Sequence, residues 1–354
     1  MSSIMKQSKK MILFNVLDIL KKYTDENHRL SQKEIEEILC AEYDMTVDRK
    51  TIKTSLMNLM DFGYDIEYSE SIRPIRNRTT GKVEESLIMS DFYLRRDIED
   101  SELRLLIDSL LFNRHLPYNQ CKDLIEKLES LSSMHFKTRI KHVGMLSHDR
   151  TENQQLFWTI DVIDEAIIQN RKVMFKYVEY DMDLKQIPVT DSDGNARIYT
   201  VSPYQMAVKD GVYYLICNYD HSDCVSNYRV DRITDIELAD ERIRPFESLK
   251  GSNGRGLDLA KYLNENAYMY SSNTIRVKLR ITTDMVGDVI ETFGKDLRFF
   301  DQEDGFVTVV IYANEESVLR YAKSNAPNVV ILGPNNLRDH MKAVFNKGLD
   351  AYAC

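Results

Sequence analysis

No run of 18 apolar residues occurs in this sequence, so no segment of it is suited to cross a membrane as a helix. Its first residues, Met1 to Lys6, lack the apolar core and small-residue cleavage site of a secretory signal. Cysteines are few and odd in number: Cys40, Cys121, Cys217, Cys224 and Cys354 are scattered along the chain. That argues against a disulfide framework and for a reducing cytoplasm. Catalytic signatures are missing too. There is no nucleophile elbow, no metalloprotease helix and no phosphate-binding loop, and the carboxylates form no readable constellation. Cys217, His221 and Cys224 offer three soft ligands, but no fourth stands near them, and a zinc site is not expected. Gly251, Gly254 and Gly256 do not follow a strand in the dinucleotide-binding order. The expectation is a cytoplasmic protein with no cofactor, no metal and no enzymatic activity.

At 354 residues the chain is too long for one core and fits two or three domains. Charged residues make up 29% and hydrophobic ones 43%, an ordinary globular balance. A net charge of −9 argues against nucleic acid until its distribution is considered. Residues 1–97 hold 16 Lys+Arg and 17 Asp+Glu, so the acid load lies in the remainder. From Ser71 to Lys82 there are Arg73, Arg76, Arg78 and Lys82 and no acid. A local basic surface suffices for DNA, because phosphate contacts are short-range and screened.

Apolar spacing orders the rest. Leu13, Val16, Leu17 and Leu20 make one helix face. Ser31 and Glu34 form a capping box ahead of Ile35, Ile38 and Leu39. Asp48 is a good N-cap for a third helix, with Ile52, Leu56, Leu59 and Met60 inward and Gly63 as its stop. Arg49, Lys50, Lys53 and Thr54 then lie near its N-terminal end, where a recognition helix meets the major groove. Ile66–Tyr68 and Phe92–Leu94 read as strands joined by the basic loop with Pro74 and Gly81. Three helices and such a hairpin describe a winged helix-turn-helix over 1–97. Residues 98–153 read as a helical connector or dimer interface, with stripes at Leu103, Leu106, Ile107, Leu110 and Leu111 and at Leu124, Ile125, Leu128 and Leu131. From Val173 the period is two, and the turn at Asp210-Gly211 separates short strands. Residues 196–209 look like one or two strands bent at Pro203. A small barrel over 154–242 is expected, then a linker with a short helix over 243–273. Residues 274–354 alternate strand and helix as an open α+β sandwich of the ferredoxin-like type. The fold class is α+β, with several domains.

The middle segment resembles a WYL domain, an Sm-like small β-barrel. The family's Trp-Tyr-Leu string corresponds to Tyr213-Tyr214-Leu215, with tyrosine in place of tryptophan. Its Phe-Arg-Leu-Asp-Arg-Ile string is similar to Tyr228-Arg229-Val230-Asp231-Arg232-Ile233, and Val-x-Pro-Tyr to Val201–Tyr204. Phe175-Lys176-Tyr177 resembles the opening strand. The C-terminal region, with Gly333-Pro334-Asn335-Asn336-Leu337-Arg338, is similar to the extension that follows WYL domains. The N-terminal region resembles the winged helix that precedes them. The resemblance implies a ligand-responsive transcriptional regulator that binds operator DNA as a homodimer. It also implies that the barrel senses a nucleotide or a short single-stranded nucleic acid, in a family common near phage-defence loci.

Such an anionic effector needs guanidinium or ammonium groups for phosphate and rings for bases. The candidates are Tyr177, Tyr204, Lys209, Tyr213, Arg229 and Arg232, the two arginines on one strand. Arg229 is favoured because the family's ligand contacts resemble that position. Asp231 shares its face and is placed to hold it in an ion pair instead. Arg73, Arg76 and Arg78 join the helix residues as candidate DNA contacts. Two other readings stay open: an accessory protein that binds RNA or single-stranded DNA through the barrel without an operator, and an interaction scaffold.

Overall fold

The structure, a computed structural model, describes residues 8–76, 83–113, 115–136, 151, 153–249, 252, 254–271 and 273–353. The chain divides into two compact units, residues 1–150 and 151–354.

In the first unit α1 (Ile12–Tyr23), α2 (Gln32–Tyr43) and α3 (Arg49–Phe62) precede an antiparallel pair, β1 (Ile66–Arg76) and β2 (Val83–Leu94). The capping box is present at α2: the Ser31 hydroxyl accepts from the Glu34 amide, and the Glu34 carboxylate accepts from the Ser31 amide at 2.7 Å. Asp48 caps α3 by accepting from the Thr51 amide at 2.8 Å. Gly63 ends that helix with φ of 114°, where any side chain would be strained. Val16, Leu20, Ile35, Leu39, Ile52 and Leu56 then share one core with Phe92 and Leu94.

The strands run further than the sequence pattern indicates. Arg73 and Pro74, expected in a loop, pair with Ser86 and Glu85. A two-stranded ribbon consists of edges, so the amide that proline lacks is not missed there. Arg78, Gly81 and Lys82 lie outside the described residues, as does the side chain of Arg76.

Next come α4 (Asp100–Phe112) and α5 (Tyr118–Glu129). Their seam is narrower than the leucine stripe suggests. Leu103, Ile107 and Phe136 are buried against Ile125 and Leu128, while Leu106 and Leu131 face outward. The chain after α5 returns to the first helices. The Met134 amide donates to Lys22 O at 2.9 Å, and the Ser133 hydroxyl donates to the Asp25 carboxylate at 2.8 Å. Beside them the His28 and His135 rings stack at 3.7 Å.

The second unit opens with α6 (Leu156–Gln169), followed by β3 (Arg171–Tyr180), β4 (Gln186–Pro188), β5 (Ile198–Lys209), β6 (Val212–Asn218), β7 (Val225–Arg229) and β8 (Ile233–Arg242). The strand order is β4-β3-β5-β6-β7, with β8 on the other edge of β3. β5 is one strand whose register shifts between Pro203 and Gln205, which is how it absorbs the proline. Asp210 and Gly211 both have positive φ and close β5 on β6 with Lys209 opposite Val212. The stretch expected as a linker carries α7 (Leu259–Glu265). Leu257, Leu259, Tyr262 and Leu263 pack on Ala207 and Ile216, so it is fastened to the β5–β6 hairpin.

The chain ends as β9 (Thr274–Thr282), α8 (Val286–Phe293), β10 (Arg298–Glu303), β11 (Phe306–Asn314), α9 (Glu315–Ser324), β12 (Val329–Gly333) and α10 (Asn335–Tyr352). These strands form an antiparallel sheet in the order β10-β11-β9-β12. Its core joins Val277, Leu279 and Ile311 of the sheet to Val289, Val318 and Leu337 of the helices.

Leu56 is fully buried on α3, so Leu56→Ala should cost about 2–5 kcal/mol of stability. Lys53→Ala on the outer face of the same helix should stay within about 0.5 kcal/mol. Urea unfolding of the two variants checks the assignment of faces; an equal loss in both would contradict it.

Candidate nucleic-acid interface and effector site

On α3 the core takes one side and leaves the other. Ile52, Ser55, Leu56 and Leu59 are buried, and Arg49, Lys50, Lys53 and Thr54 are exposed. Arg49 pairs with Glu36 at 3.4 Å. The Thr54 hydroxyl donates to Lys50 O at 2.9 Å, which ties it to its own helix turn. Neither Lys50 nor Lys53 forms an ion pair among the described residues. The amide and hydroxyl of Thr51 hold the Asp48 carboxyl below its ordinary value. Arg73 is exposed on β1.

In the same unit a cavity of about 530 Å³ is lined by Asp25 to Asn27 and by Tyr93 to Glu102. It holds none of the expected site residues. Its lining sets Arg95 and Arg96 among six carboxylates, Asp25, Glu26, Asp97, Glu99, Asp100 and Glu102, an excess of negative charge that does not suit an anionic effector.

In the second unit the structure brings some of the expected effector residues together and leaves others apart. Tyr177, Tyr199, Tyr228 and Phe175 form one aromatic cluster; the Tyr177 and Tyr228 rings are 5.1 Å apart and those of Tyr199 and Tyr228 5.4 Å. Tyr228 also hydrogen-bonds the Tyr219 hydroxyl, and Arg197 lies over Tyr199 at 4.8 Å. The Tyr177 hydroxyl accepts from the Arg229 amide at 3.4 Å. Arg229 ends β7, and its guanidinium donates to both oxygens of Asp231, at 3.1 and 2.7 Å. Asp231 itself is buried. Arg232 is not on that strand: it sits in the 3-10 turn Val230–Arg232, because Ile233 must already start β8 beside β3. Its guanidinium is 5.9 Å from the Tyr180 ring, and its Nε is buried with no hydrogen-bond partner among the described residues. The Asn153 amide fixes this turn by donating to Asp231 O and Ile233 O at 3.0 and 2.8 Å.

Tyr204 and Lys209 stand elsewhere. The Tyr204 hydroxyl donates to Arg244 O at 2.9 Å, its ring meets Phe246 edge-on, and burial pushes its hydroxyl pKa up to about 12. Lys209 donates to Leu263 O at 3.1 Å, and burial lowers its ammonium pKa. Tyr213 pairs with Val208 near the same turn. Tyr214, by contrast, is the cross-strand partner of Arg229, which puts this middle residue of the Tyr213-Tyr214-Leu215 string beside the arginine in place of Tyr213. Burial pushes the hydroxyl pKa of Tyr214 and of Tyr177 up, and the nearby arginines pull it back. Tyr199 depends on the pairing of β3 with β5, which no local spacing shows. Of the candidate zinc ligands, Cys217 is buried and Cys224 exposed.

Chemically, Arg229 and Arg232 beside Tyr177 and Tyr214 offer charge to phosphate and rings to a base. The buried Asp231 carboxylate determines how much of Arg229 is offered. Asp231→Ala should cost about 1.5–3 kcal/mol, since a charged hydrogen-bonded pair in a half-buried turn loses one member. A urea midpoint unchanged from wild type would show that the pair does not hold the turn.

Residues 159–238 match the family model of the WYL domain, and residues 273–347 match that of the WCX domain. No curated protein matches the chain. Among solved structures, proteasome accessory factor B/C (PafBC) of Arthrobacter aurescens is 14% identical, with 99% of this chain and 50% of that one covered and a TM-score of 0.27. A CRISPR Cas-related protein is 15% identical, with 99% of this chain and 88% of that one covered and a TM-score of 0.35. The chain thus spans half the length of the first.

Proposed function

Since this chain belongs to the WYL-domain proteins, carrying a WYL domain and then a WCX domain, we propose that it is an effector-responsive transcriptional regulator. Residues 1–97 act as a winged helix: α3 enters the major groove with Arg49, Lys50, Lys53 and Thr54, and the β1–β2 wing brings Arg73, Arg76 and Arg78 to the backbone. Residues 154–242 act as an Sm-like barrel that takes a nucleotide or short single strand at Tyr177, Arg229 and Arg232, with Tyr214 added. Residues 274–354 act as a ferredoxin-like domain. The protein works as a cytoplasmic homodimer on a pseudo-palindromic operator, and the helices of 98–153 couple effector to DNA. Regulation of defence genes fits the family. Catalysis has no part in this reading.

The observation that carries it is the outer face of α3. A helix capped at both ends, with its inner side in the core, presents Lys50 and Lys53 to solvent with no carboxylate partner among the described residues. Arg49 is less available, because Glu36 competes for it.

The test is binding of the full chain to a labelled duplex from its own upstream region, against a scrambled duplex, at two salt concentrations. Sequence-selective, salt-sensitive binding is expected. Lys50→Ala with Lys53→Ala should flatten the salt slope by about 2, at roughly 0.9 per phosphate contact, and weaken binding at least tenfold. Equal weak binding to both duplexes would overturn the operator reading and favour an accessory protein that binds RNA or single-stranded DNA through the barrel.

A further inference from the structure

The chain after α5 is held to the loop that follows α1 by a small group of contacts, and one of them can change its charge. That loop closes on itself: the Asp25 amide donates to His28 O at 3.0 Å and the His28 amide to Asp25 O at 3.1 Å. The Asp25 carboxylate accepts from the Asn27 and His28 amides at 2.9 Å and bonds His28 Nδ1 at 2.8 Å. A carboxylate only accepts, so that contact puts the ring proton of His28 on Nδ1. From the other side come the Ser133 hydroxyl, donating to Asp25 at 2.8 Å, and the Met134 amide, donating to Lys22 O at 2.9 Å. The next ring, His135, lies 3.7 Å from that of His28 and within 8° of parallel. One residue further on, Phe136 is in the core of α4 and α5. His135 thus stands between contacts to the first three helices and contacts to the helical pair that follows them.

Histidine is the side chain that changes charge between about pH 5 and about pH 8. Two neutral imidazoles stack as rings, whereas two imidazolium rings this close repel. The first proton has a place, because Asp25 bonds His28. Burial raises the Asp25 carboxyl, but the bonds from His28, Ser133 and the Asn27 amide bring it below its ordinary value of 3.8. Its contribution to stability is therefore present above pH 3.8 and is lost only as pH falls further, which keeps Asp25 charged throughout the histidine range. A second proton, on His135, meets a ring that is already positive. The charges around the pair are engaged elsewhere as well. Arg96 donates to Lys21 O at 2.7 Å, and its charge draws on both Asp100 and Asp25. Asp100 accepts from the Ser132 hydroxyl at 2.7 Å, Lys22 pairs with Glu42 at 2.9 Å, and Arg29 lies over the Tyr93 ring, while Glu26 is exposed in the loop.

We propose that the His28–His135 stack is a pH-sensitive clasp between the first three helices and the α4–α5 pair. It is closed while at most one ring is charged and is opened by acid when both are. Opening frees Ser133, Met134 and His135 from the loop after α1. In the regulator reading this uncouples α4 and α5 from α3, but the clasp is a property of the fold and is tested without DNA or effector.

The experiment is amide hydrogen exchange of the full chain, read by mass spectrometry at about pH 7.5 and about pH 5.5 and corrected for the intrinsic rate at each. Protection of the Met134 amide should fall at least about tenfold on acidification, while that of α3 holds. His135→Phe keeps a ring that stacks and carries no charge, so its protection should be the same at both pH values. His28→Asn keeps a donor near the Nδ1 position and should behave likewise, which keeps the test valid if the first variant does not fold. Ser133→Ala removes a bond that does not follow pH in this range; protection should drop at both pH values with the wild-type ratio kept. Equal protection at both pH values in the wild type overturns the proposal. So does an acid loss that persists in a folded histidine variant, which would place the sensitive group elsewhere.

Discussion

Strand β3 has neighbours on both of its edges, and the chemistry of the second unit is arranged by that fact. Val173 to Lys176 pair with β5 on one side, and Arg171 to Tyr177 pair with β8 on the other. Only this double pairing brings Tyr199 of β5 beside Phe175, and the turn before β8 beside Tyr177. It also encloses Lys172, whose ammonium is buried and bridges Asp220 and Glu241 at 2.5 and 2.6 Å. An unpaired buried ammonium would be strongly disfavoured, so those two carboxylates are part of the fold rather than spare charge.

The turn from Arg229 to Ile233 is the second constraint. Its buried Asp231 needs a cation, Arg229 provides it, and Asn153 from ahead of α6 holds both flanking carbonyls. The arginine most suited to an anionic effector is therefore also a structural partner. An effector phosphate would have to share its fork with Asp231 or use the side that Asp231 leaves. Such sharing couples occupancy to the turn, and through it to α6 and β8.

Alternation and amphipathicity do similar work elsewhere. On α3 a core on one side forces Lys50 and Lys53 outward; on β9 a core on one side does the same to Arg276, Lys278 and Arg280. Local patterns of this kind were legible. The capping box at Ser31, the cap at Asp48, the stop at Gly63 and the strand–helix alternation after Thr274 all stand where spacing placed them. Less legible were features that depend on partners distant in sequence. The hairpin extends through Arg73 and Pro74 because β2 is there to pair with them. Leu106 turns outward because α5 covers only the Leu103–Ile107 side of α4. Residues 257–263 look like a tether, yet they pack on β5 and β6.

The candidate effector site divides along the same line. Arg229 and Tyr177 could be named from short strings, whereas the place of Tyr214 opposite Arg229 and that of Tyr199 beside Phe175 follow from cross-strand register. Tyr204 and Lys209 carry suitable chemistry and are turned toward Arg244 and Leu263 instead. By itself the sequence determined the order of elements, the caps and turns that bound them, and which side of each is apolar, since those depend on contacts within a few residues. Only the tertiary structure decided which rings meet which guanidinium groups, because each strand's register is set by a neighbour that arrives from tens of residues away.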